Sequence, residues 1–140
     1  MTRSRWTATA TLEIPFHDVD LLGIVWHGHY AKYFEAARNV LFDQIGYNYL
    51  DMEASGYAWP VIEFNVRYAQ PLVYKQTIAV EAAIVEYENR LKINYLVRDA
   101  ASGKRLTRGY TVQVAIVLPS RDLCFASPPV LLEKLGITPL

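Results

Sequence analysis

Residues 30–46 read YAKYFEAARNVLFDQIG, and the spacing of their apolar side chains decides the fold. Tyr30, Tyr33, Phe34, Ala37, Leu41 and Ile45 recur at i, i+3, i+4, i+7, i+11 and i+15, which is the one-sided stripe of an α-helix. Gly46 is placed to end that helix in the left-handed conformation that only glycine adopts cheaply. Ala31, Ala36, Val40 and Phe42 widen the apolar surface beyond one stripe, so the spacing predicts a helix packed on more than one side.

Outward from the helix the period changes from 3.6 to 2. Before it, residues 7–16, TATATLEIPF, alternate strictly. Ala8, Ala10, Leu12, Ile14 and Phe16 fall on one face and Thr7, Thr9, Thr11 and Glu13 on the other, a half-buried strand. After it, a short helical piece over 48–55 is closed by Gly56. Beyond Pro60, strands are expected over 61–68, 77–87, 91–99 and 104–118, separated by Gln70-Pro71, Glu88-Asn89-Arg90 and Ala101-Ser102-Gly103. The last three strands read as an antiparallel meander. Pro128 and Pro129 suit the first turn of a short C-terminal helix through Val130, Leu131, Leu132 and Leu135. The fold class is therefore α+β, with a five-stranded antiparallel sheet and one long helix. One helix of about four turns cannot cover both faces of five strands. The sheet is expected to curl around it and to leave its outer face or an edge for another subunit, giving a homodimer or homotetramer. Val85, Leu96, Ala115 and Val117 read as the apolar set opposite the core-facing residues.

The chain has 140 residues, which predicts one domain over 1–140. Hydrophobic residues make up 52%, enough for a proper core. Fourteen basic residues balance fourteen acidic ones, which removes the long-range field that a nucleic-acid binder uses. A local basic patch for a small phosphorylated ligand remains compatible with that balance. Cys124 is the sole cysteine, so no intramolecular disulfide and no CxxC zinc site is expected, and a reducing, cytoplasmic setting fits. The first ten residues carry two arginines and no apolar run behind them. Neither a signal peptide nor a membrane span is expected.

Residues 17–29 have no period and hold Gly23, Gly28, two aspartates and all three histidines. This loop joins a strand to the start of the long helix, where unpaired N–H groups and the positive end of the dipole can polarise a carbonyl. A carboxylate beside that point could attack the carbonyl or activate water, so the local reading is acyl transfer or hydrolysis. No serine sits in a G-x-S-x-G elbow, and Cys124 has no histidine near it in sequence; a buried, inert thiol is the simpler reading. His27-x-His29 with Asp20 resembles a zinc ligand set only loosely, so no metal is expected.

The segment D-V-D-L-L-G-I-V-W-H-G-H-Y, followed by Y-F-E-A-A-R, closely resembles the signature of the hotdog-fold acyl-CoA thioesterases of the 4-hydroxybenzoyl-CoA thioesterase and YbgC type. The residues that meet it are Asp18, Asp20, Gly23, Val25, His27, Tyr30, Phe34, Glu35 and Arg38. More loosely, Val66-Arg67-Tyr68 with Pro71 resembles the strand that in this family passes through the dimer interface. The resemblance implies a hotdog fold, an acyl-CoA substrate, no cofactor, and active sites at the interface of a homo-oligomer. It implies that Asp20 is the catalytic carboxylate, as nucleophile or as base on water, and that His27 polarises the thioester carbonyl through its N–H and assists through its imidazole. Gly28 and Tyr30, beside the helix start, are implied as substrate contacts, while Asp18 and Gly23 are implied as structural. Glu35 either faces the thioester pocket or pairs along the helix with Arg38, which is taken as structural. Trp59, with Tyr47, Tyr49 and Tyr57, is expected near the acyl group, and Arg90 with Lys92 near the coenzyme phosphates. Leu21 and Leu22 depart from the small or polar residues usual there, as do His17 and His29 at their positions. Two alternatives stay open: release of acyl groups from acyl carrier protein, and a non-catalytic acyl-thioester binding protein.

Overall fold

In the computed structural model, residues 5–137 are described. Strand β1 (Thr7–Glu13) leads through the loop to helix α1 (Tyr30–Gln44), then to the short helix α2 (Tyr49–Ala54). Strands β2 (Tyr57–Ala58), β3 (Val61–Tyr68), β4 (Thr77–Glu86), β5 (Leu91–Asp99), β6 (Arg105–Gln113) and β7 (Ile116–Val117) follow, and helix α3 (Pro129–Lys134) comes last. Five strands form one antiparallel sheet in the order β1-β4-β5-β6-β3, while β2 and β7 make a separate two-stranded ribbon.

The stripe on α1 faces the sheet as its spacing dictates. Tyr33, Phe34, Ala37 and Leu41 are buried against Ile78, Val80, Ile93 and Val97, the inward residues of β4 and β5. The helix packs on β1 and β4, and Phe34 also meets Phe64 of β3 at 5.6 Å between ring centres. One helix thus touches both outermost strands, which requires the sheet to wrap around it. This is the hotdog arrangement. At the middle of the contact Phe34 lies parallel to Tyr95, 4.3 Å between centres, a stack worth about 0.5–1.5 kcal/mol beyond its buried area. Gly109 makes room for it, because a Cβ there would fall 2.8 Å from the Phe34 ring and overlap the Asn65 carbonyl oxygen.

The structure corrects the sequence reading in four places. Phe16 does not continue the inward face of β1. It lies in a single 3-10 turn, Phe16–Asp18, where its exposed ring meets Tyr74 edge-on. The strand expected over 104–118 is two, since the chain leaves the main sheet after Gln113 and Ile116–Val117 pair with Tyr57–Ala58. Ala115 is consequently buried in the core and is not part of an outer apolar set. Tyr47 is wholly buried, its phenol hydrogen-bonded to Ser55 and accepting from the Trp59 indole. It braces α2, whose start is fixed by a reciprocal Asn48–Asp51 capping box.

Strand β3 pairs with β6 on one side only. Its other edge is open, and Val61, Ile62, Phe64 and Tyr68 along it are exposed. Among the described residues no helix is long and apolar enough to cross a membrane.

Candidate active site

The loop between β1 and α1 is anchored by one buried carboxylate. Asp18 is 1% exposed and accepts hydrogen bonds from Tyr33 Oη at 2.6 Å and Lys32 Nζ at 2.7 Å, both on the first turn of α1. His17 Nε2 and His29 Nδ1 stand 3.5 and 3.8 Å from its Oδ1. Burial alone would raise the Asp18 pKa. The bonds from Lys32 and Tyr33 outweigh it, helped by the Lys32 and His29 charges, and hold the group below its ordinary value. Burial, with the bond to Asp18, raises the Tyr33 phenol well above the usual tyrosine range. The Asp18 carbonyl also accepts from Trp26 N at 3.1 Å, so both ends of the loop hang on this residue.

Asp20, two residues on, sits in a different environment. Its backbone opens a tight turn in which Gly23 N donates to Asp20 O, and Asp20 Oδ1 accepts from Leu22 N at 2.8 Å. Gly23 closes the turn at φ +77°, the left-handed region that side chains disfavour. Oδ2 of Asp20 makes no hydrogen bond among the described residues. The side chain is exposed, and Leu21 and Leu22 beside it project into solvent.

The start of α1 is open. A 3-10 turn, His27–His29, precedes the helix, and no side chain caps either start. The N–H groups of His27 and Gly28 have no hydrogen-bond partner among the described residues, so the positive end of the dipole is unspent. A Cβ on Gly28 would overlap the ring of the half-exposed Trp26, which would have to shift to admit it.

Asp20, Trp26, His27, Tyr30 and Pro71 line one cleft of about 310 Å³ together with Tyr68. The phenol of Tyr68 donates to His27 O at 3.1 Å, and its ring meets Tyr30 edge-on at 4.8 Å. Burial raises the Tyr30 phenol. Tyr68 and the anchors Lys32 and Tyr33 were not singled out by the sequence as site residues. The parity of β3, in which 64, 66 and 68 share the inward face, is the signal that places Tyr68 here.

Glu35, Arg38 and Trp59 are not in this cleft. They line a second cavity of about 530 Å³ with Phe42, Met52 and Val61. Among the described residues Glu35 and Arg38 form no ion pair. Arg38 donates instead to Tyr95 Oη at 3.3 Å. Arg90 is in neither cavity: in the β4–β5 turn its Nε bonds Glu86 at 3.0 Å, at the end of the sheet where Val61 and Leu91 both pair with Gln113. The site residues named from the sequence thus fall into two groups at opposite ends of β3.

Known proteins share this fold. The 1,4-dihydroxy-2-naphthoyl-CoA (DHNA-CoA) thioesterase of Staphylococcus aureus superposes with a TM-score of 0.82 at 26% identity, covering 93% of this chain and 89% of that one. Slr0204 of Synechocystis, a 1,4-dihydroxy-2-naphthoyl-CoA thioesterase, gives 0.82 at 20%, covering 93% and 96%, and speaks for the fold alone. YneP of Bacillus subtilis, assigned as an acyl-CoA thioesterase, is 36% identical over 76 residues. That match takes in 54% of this chain and spans about half (55%) of YneP. Residues 14–135 match the Thioesterase-like superfamily, a span that holds the Asp-x-Asp loop, the open helix start and every strand of the wrapped sheet except β1, and the chain belongs to this family.

Proposed function

We propose that the chain hydrolyses an acyl-CoA thioester to a free acid and CoA thiol. The observation that carries this is the Asp20 carboxylate sharing one cleft with His27, where the unbonded His27 and Gly28 N–H groups open the 3-10 turn that leads into α1. Asp20 takes a proton from water as the water oxygen bonds to the carbonyl carbon, or its carboxylate attacks that carbon directly to give a mixed anhydride that a water molecule then hydrolyses, releasing the acid and restoring the carboxylate. The carbonyl π electrons move onto oxygen, where the two N–H groups stabilise the charge. Collapse breaks the C–S bond and expels a thiolate, a good leaving group that needs little acid assistance. This chemistry draws on no metal or redox cofactor. The Asp18 anchor holds the loop and the helix start in mutual position.

The functional unit in this reading is a dimer. Antiparallel pairing of two open β3 edges about a two-fold axis sets the 61 end of one strand beside the 68 end of the other. Those ends lie about 23 Å apart along one strand of eight residues. Pairing therefore brings the Trp59 and Glu35 cavity of one copy to the Asp20 cleft of the other, and the acyl group enters it.

The test is thiol release from aryl, short-chain and long-chain acyl-CoAs, corrected for Cys124. Asp20→Asn is expected to lower kcat by roughly a hundredfold or more with an unchanged melting temperature. Turnover that survives the substitution would refute the role of Asp20, and silence of the wild type on every thioester would refute the hydrolase reading.

A further inference from the structure

The outer face of the sheet holds a concentration of positive charge that neither the fold nor the cleft requires. Arg67 of β3 stands directly opposite Arg108 of β6, and Arg98 of β5 directly opposite Arg105 of β6. Like charges set across adjacent strands repel one another, and the sequence places two such pairs about 10 Å apart along β6. With Lys92 they line a basin of about 780 Å³ whose one lining carboxylate is Glu81. None of the four arginines is in an ion pair among the described residues, whereas Lys32 and Arg90 elsewhere have their carboxylates. The chain as a whole is neutral, so the excess is local.

The basin adjoins the cleft. Arg67 immediately precedes Tyr68, and successive strand residues point to opposite faces. The strand end that holds His27 O through Tyr68 on the inner side carries the first arginine of the basin on the outer side. We propose that this basin binds the phosphorylated nucleotide end of coenzyme A, the pantetheine arm passing round residues 68–71 to reach Asp20. The proposal rests on the thioesterase reading and assigns the part of the substrate remote from the reacting carbonyl. Planar guanidinium forks donate paired N–H bonds to two phosphate oxygens at once. A diphosphate and a 3′-phosphate on one small molecule supply an anion for each arginine pair. Arg90, expected at the phosphates, pairs with Glu86 in the β4–β5 turn and is not among the residues that line the basin. A second copy packed here face to face would set arginines against arginines, which disfavours that packing.

The test compares kcat/KM for an acyl-CoA and for the same acyl-pantetheine. The wild type should prefer the CoA ester, and in Arg67→Ala/Arg108→Ala that preference should fall roughly tenfold or more. Calorimetry with adenosine 3′,5′-bisphosphate should show binding to the wild type that weakens with salt and is lost in the double variant. Arg98→Gln/Arg105→Gln, with milder substitutions, should lose it as well, and melting curves verify folding of each. Equal kcat/KM on both esters, no bisphosphate binding to the wild type, or a defect confined to acyl-carrier-protein substrates would each overturn the proposal. The calorimetry reads the basin without turnover, so failure here is distinguishable from failure of the hydrolase reading.

Discussion

Two aspartates two residues apart have opposite fates. Asp18 is buried and fully engaged, while Asp20 is exposed with one oxygen free. Because the Asp18 pKa is lower folded than unfolded, its contribution to stability is present above the ordinary carboxylate value of about 3.9 and is lost as pH falls through the folded value. Asp18→Asn should therefore be less stable than the wild type at pH 7, by about 1–3 kcal/mol for the disrupted buried bonds, and the gap should narrow toward pH 3. Thermal melts of both proteins across that range measure it, and a gap independent of pH would exclude the assignment. That Asp18 and Asp20 differ in kind was legible in the motif. The partners of Asp18 were not, because Lys32 and Tyr33 reach back across the 3-10 turn onto the loop, and no spacing rule for a helix includes the loop before it.

Periodicity located most of the elements, and its failures are instructive. Alternation in 104–118 runs straight through residues 114 and 115, so nothing local marks the break after Gln113. The break comes from pairing: Ala115 O accepts from Cys124 N and Val117 N donates to Asp122 O, contacts with the loop before α3. The division of Glu35 and Trp59 from Asp20 was likewise invisible, since it depends on which end of β3 each element meets. Gly109 shows the same limit, for it reads as a weak residue in a strand until Phe34 and Asn65 are placed around it. Gly109→Ala should force β3 away from β6 or tilt the Phe34–Tyr95 stack, costing about 1–3 kcal/mol. Chemical denaturation checks this, and an unshifted midpoint would show that the sheet absorbs the methyl group freely.

For the whole molecule the open β3 edge is the dominant feature. Exposed strand edges bearing Val61, Ile62 and Phe64 invite pairing, and a charge there is the usual deterrent. Ile62→Lys, at a side chain that is 60% exposed, should leave the isolated chain folded and shift sedimentation from dimer toward monomer. It should depress turnover with it, since each cleft would lose the cavity of its neighbour. A monomer with full activity would rule out the shared site.

The bond from the Tyr68 phenol to the His27 carbonyl joins the end of that edge to the 3-10 turn that leads into α1. If the proposed dimer forms, association and alignment are one event: activity per chain should fall on dilution, so that abundance in the cell would set rate more steeply than in simple proportion.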